Sequence, residues 1–199
     1  MSGERVVLGI SGASGAAIGV RIAELLAAGA FEVHLVVSKA AEQTLAHEVG
    51  PDALDRLEGI VARRHGIDAI GAAIASGSFA TAGMIVAPCS MRTVSAIAAG
   101  ITDNLLTRAA DVHLKERRRL VLVARESPLH LGHLRAMAAA TECGAVVAPA
   151  VPAFYLKPSS VADIVDQIAR RAIDLLAMGG PALSRAWTGT KCANGRGFA

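Results

Sequence analysis

At 199 residues, with 53% hydrophobic and 19% charged residues, the chain has apolar material for one core and too little length for two comfortable domains. A net charge of +3 with 3% aromatics argues against a nucleic-acid stacking surface, and no apolar run approaches the roughly 20 residues of a membrane helix. No basic segment leading into an apolar stretch opens the chain, and Cys89, Cys143 and Cys192 are too scattered for a disulfide framework or a zinc knuckle, so a cytoplasmic location is expected.

Taken in order, the apolar run 5–10 predicts a strand, and Ile18, Ile22, Leu25 and Leu26 predict one face of a helix over 15–29. Between them lies Gly9-Ile10-Ser11-Gly12-Ala13-Ser14-Gly15, whose small residues let backbone N–H groups approach a phosphate at a helix start, or simply make a tight connection. Its glycines recur every third residue, which is not the dinucleotide fingerprint, and it lacks a P-loop lysine. Strands follow at 31–37, 83–87, 119–124 and 145–148, and helices at 39–48, 91–100, 104–116, 130–142 and 160–177. Pro158, then Ser160 with Asp163, marks the start of the last helix as a capping box. The basic run Lys115 to Arg119 reads as a solvated helix end or as a phosphate clamp facing a neighbouring subunit's cleft.

This alternation predicts an α/β fold, an open and mostly parallel sheet with helices on both faces. The expected organisation is one domain over 1–178 and a Gly-rich, mobile tail over 179–199, ordered only around Trp187. Segments 66–82 and 149–158 read as functional loops, the second rigid and extended. In such sheets ligands bind beyond the carboxyl ends of the strands. That rule gathers Ser11 to Gly15, Val37 to Lys39, Pro88 to Thr93, Ala124 to Glu126 and the Pro149 to Pro158 loop into one candidate site. His130 and His133 stand one helical turn apart without an evident third ligand, so they read as packing residues and no metal is expected. Cys89 precedes a helix start, which favours either a thiolate or a small packed side chain.

Together, segments 9–15, 37–41, 75–79, 87–93, 103–112, 114–122, 125–134 and 152–155, in this order, resemble the UbiX-type flavin prenyltransferases, within the homo-oligomeric flavin-containing proteins and similar to the small subunit of phenolic-acid decarboxylases. The resemblance covers residues 5–178 and implies a three-layer Rossmann- or flavodoxin-like subunit in a dodecamer. Reduced FMN and dimethylallyl phosphate would meet at subunit interfaces, giving prenylated FMN for a UbiD-type decarboxylase without a metal.

By the same resemblance, Gly12, Ala13, Ser14, Ser38, Ser90, Met91, Arg92, Thr93 and Arg125 bind FMN, and Arg108, Lys115, Tyr155 and Arg171 bind the prenyl phosphate. Ser14, Glu48, Lys115 and Glu126 carry the chemistry, the acids relaying protons and the cations neutralising the departing phosphate. Glu48 also reads as a surface residue, Ser14 as a helix cap, and Trp187 as either a cover over the prenyl pocket from another subunit or a tail anchor. Ala16-Ala17-Ile18 and Arg92 depart from the family's usual residues. The alternative is an FMN-binding or carrier subunit that makes no product. A flavin-dependent cysteine decarboxylase fits less well, because the expected histidine is missing around Ser38 to Ala41.

Overall fold

The predicted apolar runs pair into one sheet in the computed structural model, which describes residues 4–189. Six strands, β1 (Arg5–Ile10), β2 (Glu32–Val37), β3 (Arg63–His65), β4 (Gly83–Cys89), β5 (Arg119–Ala124) and β6 (Val146–Val147), lie in the order β3-β2-β1-β4-β5-β6. All pairings are parallel. Seven helices cover the two faces: α1 (Ala16–Ala28), α2 (Lys39–Glu48), α3 (Ala53–Ile60), α4 (Met91–Ala98), α5 (Leu105–Lys115), α6 (Leu131–Glu142) and α7 (Val161–Asp174).

Strand residues alternate between the two faces, and both are buried, which explains why the strands read as unbroken apolar runs. Val6, Leu8, Ile10, Leu35 and Ile85 pack with Ile18, Ile22 and Leu26 of α1, Leu45 of α2, Leu57 of α3 and Ile173 of α7. Val7, Met84, Val86, Leu120 and Leu122 pack on the other face with Val94 and Ile97 of α4 and Leu105 and Leu106 of α5.

Two elements in 49–65 have no counterpart in the sequence pattern. Helix α3 is only eight residues long. Strand β3, Arg-Arg-His, has no apolar alternation and is held by side chains: His65 Nε2 meets His34 Nδ1 at 2.9 Å, and His34 Nε2 meets Glu32 at 3.0 Å. Burial, with His34 and Arg63 adding repulsion, lowers the His65 pKa to about 4, so the His65 ring is neutral near pH 7. Loop 66–82 contains a short 3-10 turn at Ala73–Ala75, and the supposedly extended 149–158 segment contains another at Phe154–Leu156. Among the described residues no helix is long and apolar enough to cross a membrane. Cys192 and the segment Gly195–Ala199 lie outside the described residues.

Gly19 sets how closely α1 approaches β4. A Cβ there would run into the backbone carbonyl of Ala87 and lie 3.0 Å from the Ile10 side chain. Alanine gains about 1 kcal/mol of helix propensity, but pushing α1 off the sheet outweighs it. Gly19→Ala is expected to lower stability by a net of about 1–3 kcal/mol in urea unfolding; an unchanged midpoint would show that the helix has room to shift.

Candidate functional site

Strands β1 and β4 are neighbours whose chains leave toward opposite faces, α1 to one and α4 to the other. This is the switch point at which α/β sheets open a crevice. Ser11 fixes its width: its hydroxyl donates to the Pro88 carbonyl at 3.1 Å and accepts the Ser90 N–H at 2.8 Å. Beside it lies a cleft of about 440 Å³ lined by Gly12, Ser38, Lys39, Asp68, Ser90, Arg92, Thr93 and Asn104, among others. Ser38, Ser90 and Asn104 are also the N-caps of α2, α4 and α5, accepting from Ala41, Thr93 and Thr107. Arg92 pairs with Asp103 at 2.5 Å, and Lys39 reaches Asp68 at 3.8 Å. Met91 is buried in the apolar layer on the α4 face.

Helix α1 has no side-chain cap of its own, and Gly15 starts it in the left-handed region at φ 104°. The exposed N–H groups of that start are instead taken by Glu48, from the last turn of α2. Its Oε2 accepts from Gly15 N–H and from Ala16 N–H, both at 2.8 Å. Desolvation works against the charge, but these two bonds, the Ser14 hydroxyl and the nearby Arg125 outweigh it and hold the carboxyl below its ordinary range. The structure therefore brings Ser14 and Arg125, from separate elements, close to the Glu48 carboxylate. The turn expected to bind a phosphate has a carboxylate on its first two helical amides.

A second pocket, about 390 Å³ and mostly apolar, opens at the ends of β5 and β6 against α7. Tyr155 and Arg171 line it, as does Trp187 of the same chain, whose ring meets Tyr155 edge-on at 5.3 Å. Arg108 and Lys115 are not among its lining residues. They lie on the exposed side of α5, where Arg108 pairs with Asp111 at 2.7 Å and Lys115 pairs with Glu116. Lys115 borders Gly77, and Arg118 donates to the carbonyls of Gly77 and Phe79, at the amino-terminal edge of the sheet. Glu126 is exposed and accepts from its neighbour Ser127. His130 caps α6, and its ring lies 3.6 Å from that of His133. Burial pushes the Cys89 thiol far above its usual range, which leaves the packing role.

Comparison with known proteins decides the family. Residues 1–173 match the family described as Flavoprotein. The flavin prenyltransferase UbiX of Thauera aromatica is 50% identical over 187 residues, 94% of this chain and 95% of the relative. The chain belongs to the UbiX group of flavoproteins. The solved structure of AnUbiX (PadA1), in complex with FMN and dimethylallyl pyrophosphate, superposes with a TM-score of 0.87 at 42% identity, covering 95% of this chain and all of that one. A dodecameric FMN-dependent UbiX-like decarboxylase from Escherichia coli O157:H7 gives 0.87 at 41% identity, covering 93% of this chain and 100% of that one.

The cleft at the switch point has a lining that suits a flavin mononucleotide. It carries hydroxyls, cap-end dipoles and two cations, and its floor at Gly12 is bare backbone, since a Cβ there would collide with Ala40. Sequence reasoning gathered Lys39 into the candidate site from its place just after a strand's carboxyl end, but not Asp68 or Asn104, which carry no such signal.

Because the Glu48 carboxyl is held below its ordinary 4.5, its cap on α1 is fully present above that pH and is lost as pH falls through the folded value. Glu48→Gln is expected to cost about 1 kcal/mol at neutral pH, with the gap to wild type closing in acid. Equal unfolding midpoints at pH 7 would mean that the carboxylate adds nothing to the turn.

Proposed function

We propose that this protein is a flavin prenyltransferase, joining the dimethylallyl group of dimethylallyl phosphate to N5 and C6 of reduced FMN with release of phosphate. The product, prenylated FMN, goes to a UbiD-type decarboxylase. The observation that carries this reading is the pairing, at the carboxyl edge of one sheet, of a polar cleft suited to FMN with an apolar pocket that includes the cation of Arg171. Bound in the cleft, reduced FMN supplies the two nucleophilic atoms of the reaction.

The chain's own residues do the rest. Gly12, Ala13 and Ser14 with Ser38, and Ser90 to Thr93 with Arg125, seat the flavin. Each capping serine accepts a backbone N–H and still has its own O–H to donate. Departure of phosphate from an allylic carbon leaves a cation, which the faces of Tyr155 and Trp187 shield from water. Arg171 neutralises the phosphate as it leaves. Arg108 and Lys115 join it from a neighbouring copy, because they share one exposed side of α5 at i and i+7. Glu48, ionised at neutral pH, takes up a proton through the Ser14 hydroxyl, and Glu126 serves as the second acid. This assigns the working form to a homo-oligomer, a dodecamer as in the E. coli relative, in the cytoplasm.

Anaerobic incubation with FMN, dithionite and dimethylallyl phosphate is expected to give a flavin heavier by one dimethylallyl unit, read by mass spectrometry. FMN that stays bound but unmodified would support the carrier role instead. Lys115→Ala and Arg171→Ala should each lose about 100-fold in turnover, and co-refolding the two variants should restore part of it. Failure of the mixture to recover would place both groups in one chain's site.

A further inference from the structure

Asp174 ends α7, where a carboxylate is the wrong charge for the helix dipole. It is nevertheless half-buried and accepts two backbone N–H bonds from the segment beyond the helix: Oδ1 from Leu183 at 2.7 Å and Oδ2 from Ser184 at 2.9 Å. Two turns earlier on the same face, Gln167 accepts the Arg185 N–H at 3.4 Å. These bonds turn the chain back along α7 and deliver Trp187 to Tyr155. Ala182, Ser184, Arg185, Ala186 and Trp187 thereby close one side of the apolar pocket.

Little apolar burial holds this strap in place. Leu183 remains 42% exposed and Trp187 58%. Segments with few buried contacts open easily, so the polar clamp carries the closure. Desolvation opposes the charge on Asp174, but the Ser184 hydroxyl, the two amides and Arg171 outweigh it and keep it ionised. Arg171, one turn earlier, also lines the pocket, so the clamp and the anion site adjoin.

We propose that Asp174 is a positioning residue for prenyl transfer: its carboxylate clamps the backbone at Leu183 and Ser184 and so seats Trp187 as a movable wall of the donor pocket. The role in transfer rests on assigning that pocket to the prenyl donor; the clamp itself does not.

The sequence contains one tyrosine and one tryptophan, Tyr155 and Trp187, so energy transfer between them reports the strap directly. In the full-length, FMN-loaded protein, tyrosine emission should be silent in wild type and appear in Asp174→Ala. The same variant should raise KM for dimethylallyl phosphate about tenfold, the effect of losing a charged hydrogen-bond acceptor. KM for reduced FMN, and kcat at saturating donor, should hold. Asp174→Asn, which keeps one acceptor oxygen, should fall between on both readouts. Silent tyrosine emission with unaltered donor KM in Asp174→Ala overturns the proposal. Should that variant not fold, hydrogen exchange on wild type decides: slow exchange at the Leu183 and Ser184 amides upholds the clamp, and exchange as fast as in an open peptide overturns it. Tyrosine emission that appears in Asp174→Ala while wild type transfers no prenyl group would uphold the clamp and overturn the donor assignment.

Discussion

The structure depends on one constraint, the position of β1 between β2 and β4. β1 is bonded on both sides, with all six residues registered against β2 and Val6 to Gly9 against β4. At its end the backbone has to leave the sheet toward one face while β4 leaves toward the other, and no backbone fills the gap between the diverging exits. Ser11 spans that gap with its hydroxyl, the absence of a side chain at Gly19 lets α1 lie against β4, and the bare backbone of Gly12 passes Ala40. The crevice thus follows from topology, and its chemistry from the polar residues that helix starts require.

Those helix starts are handled in two ways. Helices α2, α4 and α5 are capped by Ser38, Ser90 and Asn104, local residues that satisfy the first amides and leave polar groups facing the cleft. Helix α1 is capped from a distance, by Glu48 at the end of α2. A remote carboxylate costs more to place than a neighbouring serine, but it puts a fixed negative charge beside Ser14 and Arg125. Asp174 repeats the arrangement at the opposite kind of helix end. In both cases a carboxylate accepting two backbone amides joins a helix end to a second segment of backbone.

How much of this was legible in the sequence follows from range. Helix α1 was plain from Ile18, Ile22 and Leu26, and α7 from its capping box, which the structure contains as Ser160 with Asp163. Strand β3 was not, because paired histidines rather than an apolar alternation hold it, and α3 buries only Ala53 and Leu57, too few apolar positions for a period to stand out. Ser14, Ser38, Ser90 to Thr93, Arg125 and Glu126 stand just past strand ends, a position that local pattern reveals, whereas Glu48, Arg108 and Arg171 lie on helices and are reached only through the family resemblance. The contact of Glu48 with Gly15 spans 33 residues and that of Asp174 with Leu183 crosses a helix terminus, and neither leaves a periodic trace. The tail, expected to be mobile except around Trp187, is pinned at Leu183 to Arg185 by bonds of this kind.

The placement of Lys115 decides what kind of site one chain can form. Helix α5 runs back against the strands for 11 residues, roughly 16 Å at the usual rise. Its last residue therefore lies at the amino-terminal edge of the sheet on the α4–α5 face, while Glu48 and Arg125 lie toward the carboxyl edge and Arg171 lies on α7, which packs on the opposite face. A phosphate on a five-carbon chain does not span that distance. On the prenyltransferase reading, Lys115 acts in a neighbour's site, and each copy holds one part of two sites. The exposed Leu129, Leu131 and Leu134, before and along α6, supply apolar surface for such an association. On that reading assembly completes the active site, and a dissociated subunit keeps its flavin cleft and Arg171 but lacks the two cations that α5 of a neighbour would bring.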